Sequence, residues 1–263
     1  MPTVTGKTFA SFYRNLLSIG QTANTGVTSA LKPVEDGRGA KTAIGISDDV
    51  LVVQPQNDDT DAALGVRNVA GQNVLAVDTV NSKILGGSSL TAMNTQYAYF
   101  GCNSGDPVTA AMVADTHYAI PFTIAGFGGT TADFAMGTAT SLTISINSML
   151  YLHTYWFVPD NITIDAVHWL HAADTATGED TAAHLMAYTV DTGNGSTSGD
   201  LSSGTVVADG ATITNAGYEQ IYYQAMTVQS ADVDAGKVIV FTFASDTVNS
   251  DYSINATVKY HIR

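Results

Sequence analysis

The stretch Asp234-Ala-Gly-Lys-Val-Ile-Val-Phe241 decides the fold class that this sequence predicts. Asp, Ala and Gly are typical of a turn, and the nearly continuous apolar run that follows is typical of a strand buried on both faces. Residues 253–262 alternate between apolar and polar side chains instead, which indicates a strand with one buried face. Both patterns belong to a sheet protein with a packed interior.

Similar runs recur from residue 117 to the C-terminus, separated by turns rich in Asp, Asn, Gly and Thr. No helical pattern connects them, so the predicted strands are antiparallel and form a β-sandwich, most simply a jelly roll. The predicted strands cover residues 118–124, 141–146, 150–158, 162–171, 183–190, 218–228, 238–243 and 252–262. Many activities occur on this fold, so the fold alone defines no function.

The composition agrees with an all-β chain. The 263 residues are 45% hydrophobic, which is enough for a substantial core. Only 13% are charged, about half the usual share of roughly 25%. Surface helices normally carry many Glu and Lys, so this composition favours strands and turns.

The charge of the chain is unevenly distributed. The formal net charge is −14, and all ten Lys and Arg lie in residues 1–83 or 237–263. Residues 84–236 hold fourteen Asp and Glu and no basic side chain. Such a surface repels phosphate groups, so we expect no nucleic-acid partner and no docking on anionic membranes.

The sequence also argues against export and membrane insertion. Residues 1–13 lack the apolar core of a secretory signal, and no apolar run approaches the ~20 residues that a membrane helix needs. The single Cys102 excludes an intrachain disulfide and a thiolate metal cluster. We therefore expect assembly in a reducing cytosol.

Residues 1–45 are predicted to form an extended anchoring arm. A short amphipathic cluster is followed by a polar run, residues 21–41, without any periodicity. One helical turn is unstable alone, so the arm is expected to lie on a partner. The residues expected to contact that partner are Phe9, Phe12, Tyr13, Arg14, Leu16 and Leu17.

Residues 46–98 are predicted to form a short β-ribbon with strands at 50–53, 63–69, 73–78 and 82–85. The ribbon is too thin for a core of its own, so we expect copies to bury its apolar face at a trimer axis. The residues expected at that axis are Leu64, Val66, Leu75, Val77 and Ile84. A linker at 99–116 and a jelly-roll head at 117–263 complete the predicted organisation.

The ribbon sequence Leu64-Gly-Val-Arg-Asn-Val-Ala-Gly-Gln-Asn-Val-Leu-Ala-Val-Asp-Thr-Val-Asn-Ser-Lys-Ile84 resembles the shaft repeat of trimeric fibre and virion appendage proteins of tailed bacteriophages. The segments Gly6-Lys-Thr-Phe-Ala-Ser-Phe-Tyr13 and Ser47-Asp-Asp-Val-Leu-Val-Val-Gln-Pro55 are similar to N-terminal regions of virion structural proteins of marine phages. The resemblance covers roughly residues 6–100. It implies a homotrimeric virion component, assembled in the host cytoplasm, whose arm contacts the major capsid protein or another virion protein.

Two functions follow from this resemblance. The first is a non-enzymatic capsid decoration or head fibre, which the single short ribbon favours. The second is a tail-fibre receptor-binding protein whose jelly roll binds host surface carbohydrate. Aromatic rings beside amides and carboxylates suit sugars, and the candidate face is Tyr155, Trp156 and Trp169. The alternative for Trp156 and Trp169 is a place in the sandwich core.

We predict no catalytic site, no resident metal and no cofactor. Thr5-Gly-Lys-Thr8 lacks the first Gly and the preceding strand of a phosphate-binding loop. His168 and His171 are an odd number of residues apart, so on a strand they point to opposite faces. Carboxylates cluster in Gly-rich turns rather than as a glycosidase pair. Calcium binding by the acidic loops 174–180 and 191–194 stays open.

Overall fold

The computed structural model describes residues 17–20, 26–87, 89, 91–102, 113–122, 154–173, 178–192, 201–217, 220–247 and 252–263. This part of the chain is all-β and contains no α-helix, which confirms the predicted fold class. The chain divides into two compact units, Met1–Asn94 (unit 1) and Thr95–Arg263 (unit 2).

The described part of unit 1 contains eight short strands. They are β1 (Ser18–Ile19), β2 (Lys32–Glu35), β3 (Lys41–Ile46), β4 (Leu51–Val53), β5 (Leu64–Arg67), β6 (Asn73–Asp78), β7 (Lys83–Gly86) and β8 (Thr91–Ala92). They form two antiparallel four-stranded sheets, in the orders β1-β2-β3-β4 and β5-β6-β7-β8.

The strands β2 and β3 correct the expectation that residues 21–41 lie as an arm without structure of their own. These strands form a hairpin in which Lys32 lies opposite Ile46. The carboxylate of Asp36 accepts hydrogen bonds from the N–H groups of Arg38 and Ala40, at 2.8 and 2.9 Å, and so closes the turn. This Asx-type turn favours a hairpin even though the apolar residues of the segment show no periodicity.

Most of the predicted anchoring cluster cannot be placed on this fold. Phe9, Phe12, Tyr13, Arg14 and Leu16 lie outside the described residues. Leu17 is described, directly before β1, and its side chain is exposed.

The described part of unit 2 carries the remaining strands that the structure describes. They are β9 (Thr95–Cys102), β10 (Tyr118–Ile120), β11 (Trp156–Phe157), β12 (Ile162–Ala173), β13 (Asp180–Val190), β14 (Leu201–Asp209), β15 (Ile213–Thr214), β16 (Gln220–Ala225), β17 (Thr227–Val228), β18 (Asp232–Val233), β19 (Lys237–Ser245) and β20 (Tyr252–Ile262). The principal strands in chain order are β9, β10, β12, β13, β14, β16, β19 and β20.

The order of these principal strands in space is that of a jelly roll. The front sheet has the order β9-β20-β12-β16, so the first strand pairs with the last, and the third with the sixth. The back sheet has the order β10-β19-β13-β14, which combines the second, seventh, fourth and fifth strands. All these neighbours are antiparallel, and successive strands alternate between the two sheets except at β13 and β14.

Several predicted boundaries move. Strand β9 begins four residues before the predicted start of the linker at residue 99, because it pairs with β20 from Thr95 opposite His261 to Cys102 opposite Ile254. Residues 99–102 are therefore part of the sandwich. Strand β14 has no predicted counterpart. The predicted strand 141–146, and residues 150–153 of the predicted strand 150–158, lie outside the described residues.

The back sheet is buried on both of its faces. Phe241 and Phe243 of β19 point into the sandwich, where they pack in one cluster with Trp169 of the front sheet. Val238 and Val240 point to the other side of β19 and belong to a second buried cluster there. This confirms the prediction made from the apolar run at 237–241. The front sheet instead has one buried face, and its strand β20 alternates as predicted.

Candidate interaction surfaces

The strand register places the five predicted axis residues on one face of the β5-β6-β7-β8 sheet of unit 1. Leu64 lies opposite Val77, Val66 lies opposite Leu75, and Val77 lies opposite Ile84. Directly opposed side chains point to the same side of an antiparallel sheet. We call the surface formed by these five residues the ribbon face.

The ribbon face is apolar and accessible. Leu64, Val66 and Ile84 are 45%, 50% and 47% exposed, and the other two members are half-buried. The opposite side of the same sheet carries Ala76 and Asp78, both of which are buried. Val74 on that opposite side is 41% exposed, so the ribbon face is distinguished by its five adjoining apolar side chains rather than by exposure alone.

Polar turns fix the register that creates the ribbon face. Asn68 accepts a hydrogen bond from the N–H of Gln72 at 2.9 Å, next to Gly71 with its φ of 81°. At the next turn, the buried Asp78 accepts bonds from the backbone and side-chain nitrogens of Asn81 at 2.9 and 2.8 Å. Burial raises the pKa of Asp78, but the bonds from Asn81 outweigh it and hold the pKa below its usual value. A shift of one residue would turn the apolar side chains to the other side, so these turns specify the face.

A second accessible face lies on the outer side of the front sheet in unit 2. Alternate residues of each strand point to this outer side, and we call the surface that they form the front face. Its members are Tyr97 and Tyr99 of β9, Asn255, Thr257 and Lys259 of β20, His168 and Leu170 of β12, and Ile221 and Tyr223 of β16. Tyr97, Tyr99 and Tyr223 are 52%, 44% and 60% exposed. Exposed tyrosines therefore lie on both outer strands of the sheet, with polar side chains between them.

Two features give the front face a defined shape. Nδ1 of His168 lies 2.9 Å from the hydroxyl of Tyr223, and the two rings are nearly parallel with centroids 6.0 Å apart. A shallow depression of about 270 Å³ lies at one end of the face, lined by Leu170, Ile221 and Asn255 of the face and by the inward-facing Cys102, His171 and Ile254. The face thus combines a fixed aromatic ring with an adjoining hollow.

The predicted carbohydrate residues do not form this surface. Trp169 has no exposed surface and Trp156 is 7% exposed, so both belong to the core. Trp156 stacks on Phe122 with centroids 5.9 Å apart, and Tyr155 packs half-buried against the second cluster of the back sheet. An enclosed indole cannot stack on a sugar, which corrects the candidate set. The alternation of Tyr97 and Tyr99 was the signal that the sequence offered for an exposed aromatic face.

The histidines divide between the front face and the interior. His168 and His171 point to opposite sides of β12, as their odd spacing predicts. His171 is 1% exposed, and its Nε2 lies 3.1 Å from Oδ1 of Asn215. Burial lowers its pKa, while the hydrogen bond to Asn215 opposes that shift. The buried His171 ring is thus part of the packing of the sandwich.

His117 and His184 form a stacked pair with ring centroids 4.5 Å apart. Nδ1 of His117 lies 3.0 Å from the hydroxyl of Thr242, and Nδ1 of His184 lies 2.8 Å from a carboxylate oxygen of Asp209. Burial, and then the neighbouring His184, lower the pKa of His117 to about 3. Its ring is therefore uncharged at neutral pH. Among the described residues, no group of three or more His, Cys, Asp or Glu is arranged to hold a metal ion.

The described carboxylates of the first acidic loop make hydrogen bonds within the protein. Glu179 accepts a hydrogen bond of 2.5 Å from the hydroxyl of the buried Tyr252. Asp180 accepts one from the hydroxyl of Thr214. Residues 174–177 and 193–200 lie outside the described part, so the calcium alternative stays a prediction.

Comparison with known proteins gives little further information. No protein-family model matches the sequence, and no curated protein matches it. Among solved structures, an alpha-amino acid ester hydrolase labelled with selenomethionine is similar at 12% identity, over 65% of this chain and 33% of the hydrolase chain. Its TM-score of 0.29 is too low to indicate a shared fold. The part of the chain that the structure describes contains no helix long and apolar enough to cross a membrane.

Proposed function

We propose that this protein is a non-enzymatic structural subunit of a tailed-phage virion, assembled in the host cytoplasm as a homotrimer. It decorates the capsid or forms a head fibre, and its N-terminal region contacts the major capsid protein or another virion protein. The observation that carries the proposal is the ribbon face of unit 1. The resemblance of the ribbon sequence to phage shaft repeats supplies the virion setting.

The ribbon face supports association because it leaves apolar surface in water. Burying a half-exposed Leu, Val or Ile side chain contributes about 1 kcal/mol. Three such side chains per protomer, repeated in every copy, stabilise an assembly that one small sheet cannot provide alone. In an assembly with closed symmetry, the ribbon face of every copy is buried.

The charge distribution supports association through the ribbon rather than through the head. Residues 84–236 carry fourteen acidic and no basic side chains, so copies of this region repel each other. The ribbon face itself consists of uncharged side chains. Copies that meet at this face need not bring the acidic segments together.

A second function, a tail-fibre receptor-binding protein, is favoured by the front face. Exposed Tyr97, Tyr99 and Tyr223 beside amide and hydroxyl groups suit host surface carbohydrate. Antibody labelling of phage particles in the electron microscope distinguishes the two functions. Label on the head supports the first, and label confined to the tail supports the second.

The trimer is tested by charge substitutions on and beside the ribbon face. We expect light scattering to give the mass of three protomers for the wild type. Val66→Asp is expected to yield monomers, because it would bury a carboxylate at the axis. Val69→Asp is the matched control, since Val69 is fully exposed in the adjoining turn, and it is expected to stay trimeric. A wild-type monomer or dimer contradicts the proposal.

A further inference from the structure

We propose that the front face binds a neutral oligosaccharide, laid along β20 between the tyrosines of β9 and β16. The inference deepens the second function above by naming the binding surface and the class of ligand. It is independent of the ribbon face and of the homotrimer.

The centre of the front face offers free hydrogen-bonding groups. Asn255, Thr257 and Lys259 follow each other at alternate positions on β20, all of intermediate exposure. Within the described part of the chain, none of these three side chains has a hydrogen-bond or ion-pair partner. This stripe extends about 14 Å at 3.4 Å per residue, which is long enough for more than one sugar ring. Sugar hydroxyls both donate and accept, and an Asn amide complements both functions.

Aromatic rings flank this polar stripe. Thr257 lies between His168 and Tyr99 in the strand register, which places the backbones of these two residues about 10 Å apart. A ring lying over Thr257 would therefore meet an aromatic edge on either side. The bond between Tyr223 and His168 holds the Tyr223 ring before ligand arrives, which reduces the ordering cost of binding.

The depression at one end of the stripe fits a single sugar unit. Its volume of about 270 Å³ is below that of sites for drug-sized ligands. Leu170 and Ile221 supply an apolar wall and Asn255 a polar one. That combination complements a pyranose ring, which has an apolar face and a polar edge.

The charges of the front face favour a neutral ligand. Lys259 is its one cation among the described members, so a polyanion would find a single partner. The polar stripe also interrupts the apolar surface, whereas the apolar residues of the ribbon face adjoin one another. A second copy of this chain would have to leave the stripe unpaired, at a cost in free energy.

The test uses the full-length protein and isothermal titration calorimetry with neutral hexasaccharides of glucose, mannose and galactose, and with a heparin hexasaccharide as the acidic comparison. We expect binding to at least one neutral probe and weaker or no binding to heparin. Tyr99→Ala and Tyr223→Ala are each expected to weaken binding roughly tenfold, in line with the loss of one stacking contact. Tyr223→Phe keeps the ring and is expected to lose less.

The matched control is Phe157→Ala, which removes an aromatic side chain that is 58% exposed on β11, away from the front face. This variant is expected to bind like the wild type. The inference is overturned if no neutral probe binds, if heparin binds more tightly, or if both tyrosine variants retain full affinity. A change of assembly mass in these variants also overturns it, because the face would then join copies. Val66→Asp reports separately on the trimer.

Discussion

At the scale of single residues, His117 makes the stability of unit 2 depend on pH. The ring is 3% exposed, bonded to Thr242 and stacked on His184. Burial and His184 lower its pKa to about 3 in the folded protein, whereas the unfolded chain retains the ordinary value near 6.5. The unfolded state therefore binds more protons between these two values, and acid favours unfolding.

We predict that unit 2 loses on the order of 4 kcal/mol of stability through this one group as the pH falls from about 7 to about 3. His117→Asn keeps a nitrogen for the bond to Thr242 but cannot titrate, so its stability should fall less steeply with acid. Urea unfolding across this range measures the slope. His168→Gln, at a half-exposed position, is the control and should retain the wild-type slope; equal slopes for all three proteins would contradict the assignment.

The two tryptophans show what residue identity alone predicts. Large aromatics bury well and also bind sugars, so the sequence alone is compatible with two roles for Trp156 and Trp169. Strand parity decides between them, because Trp169 shares the inward side of β12 with His171, while His168 and Leu170 point outward. Alternation along a strand shows which residues share a side, but the neighbouring strands must be known before one can say which side faces the core.

At the scale of elements, β19 is the central strand of the back sheet and is buried on both faces. We predict that Ile239→Ala costs about 2 to 5 kcal/mol, since Ile239 is 0% exposed and the neighbouring side chains cannot fill the cavity. The same change at Ile221, which is 74% exposed on the edge strand β16, should cost less than about 1 kcal/mol. Denaturant unfolding of both variants provides the comparison, and similar losses would contradict the place of Ile239 in the core of the sandwich.

Periodic strands could be predicted from the sequence, and strands of mixed pattern could not. The bounds of β6 and β20 agree with the prediction because their apolar residues alternate or cluster clearly. β9 has aromatic residues on both of its faces, with Tyr97 and Tyr99 outside and Phe100 inside, so its apolar residues do not alternate with polar ones. β14 contains Ser and Gly at positions that favour a turn, and its pairing with β13 includes two register shifts.

The two candidate surfaces also differ in how far the sequence alone predicts them. The five residues of the ribbon face lie on neighbouring strands joined by tight turns, so local spacing alone indicates that they share one side of the sheet. The front face joins β9, β20, β12 and β16, which are distant in sequence. No local pattern specifies which strands become neighbours, and Tyr99 and Tyr223 meet on one surface only through that pairing.

At the scale of the whole molecule, the boundary before β9 determines which fragment can fold. We predict that residues 95–263 form a cooperatively folding monomer, because every described strand pair of the sandwich lies within them. A fragment that begins at residue 117 removes β9 and the buried Phe100 and exposes the edge of β20, so it should aggregate or melt without cooperativity. Circular dichroism melting and light scattering compare the two, and equal behaviour would contradict the place of β9 in the sheet.

The pairing of the first jelly-roll strand with the last also sets the order of events during synthesis. Cys102 and Ile254 are neighbours in the sheet but about 150 residues apart in the chain, so β9 leaves the ribosome long before its partner exists. The ribbon in unit 1 has only local pairings and can form at once. On a polysome, nascent chains would therefore expose finished ribbons while their heads are still incomplete, and copies from one messenger could meet at the ribbon before any head has closed.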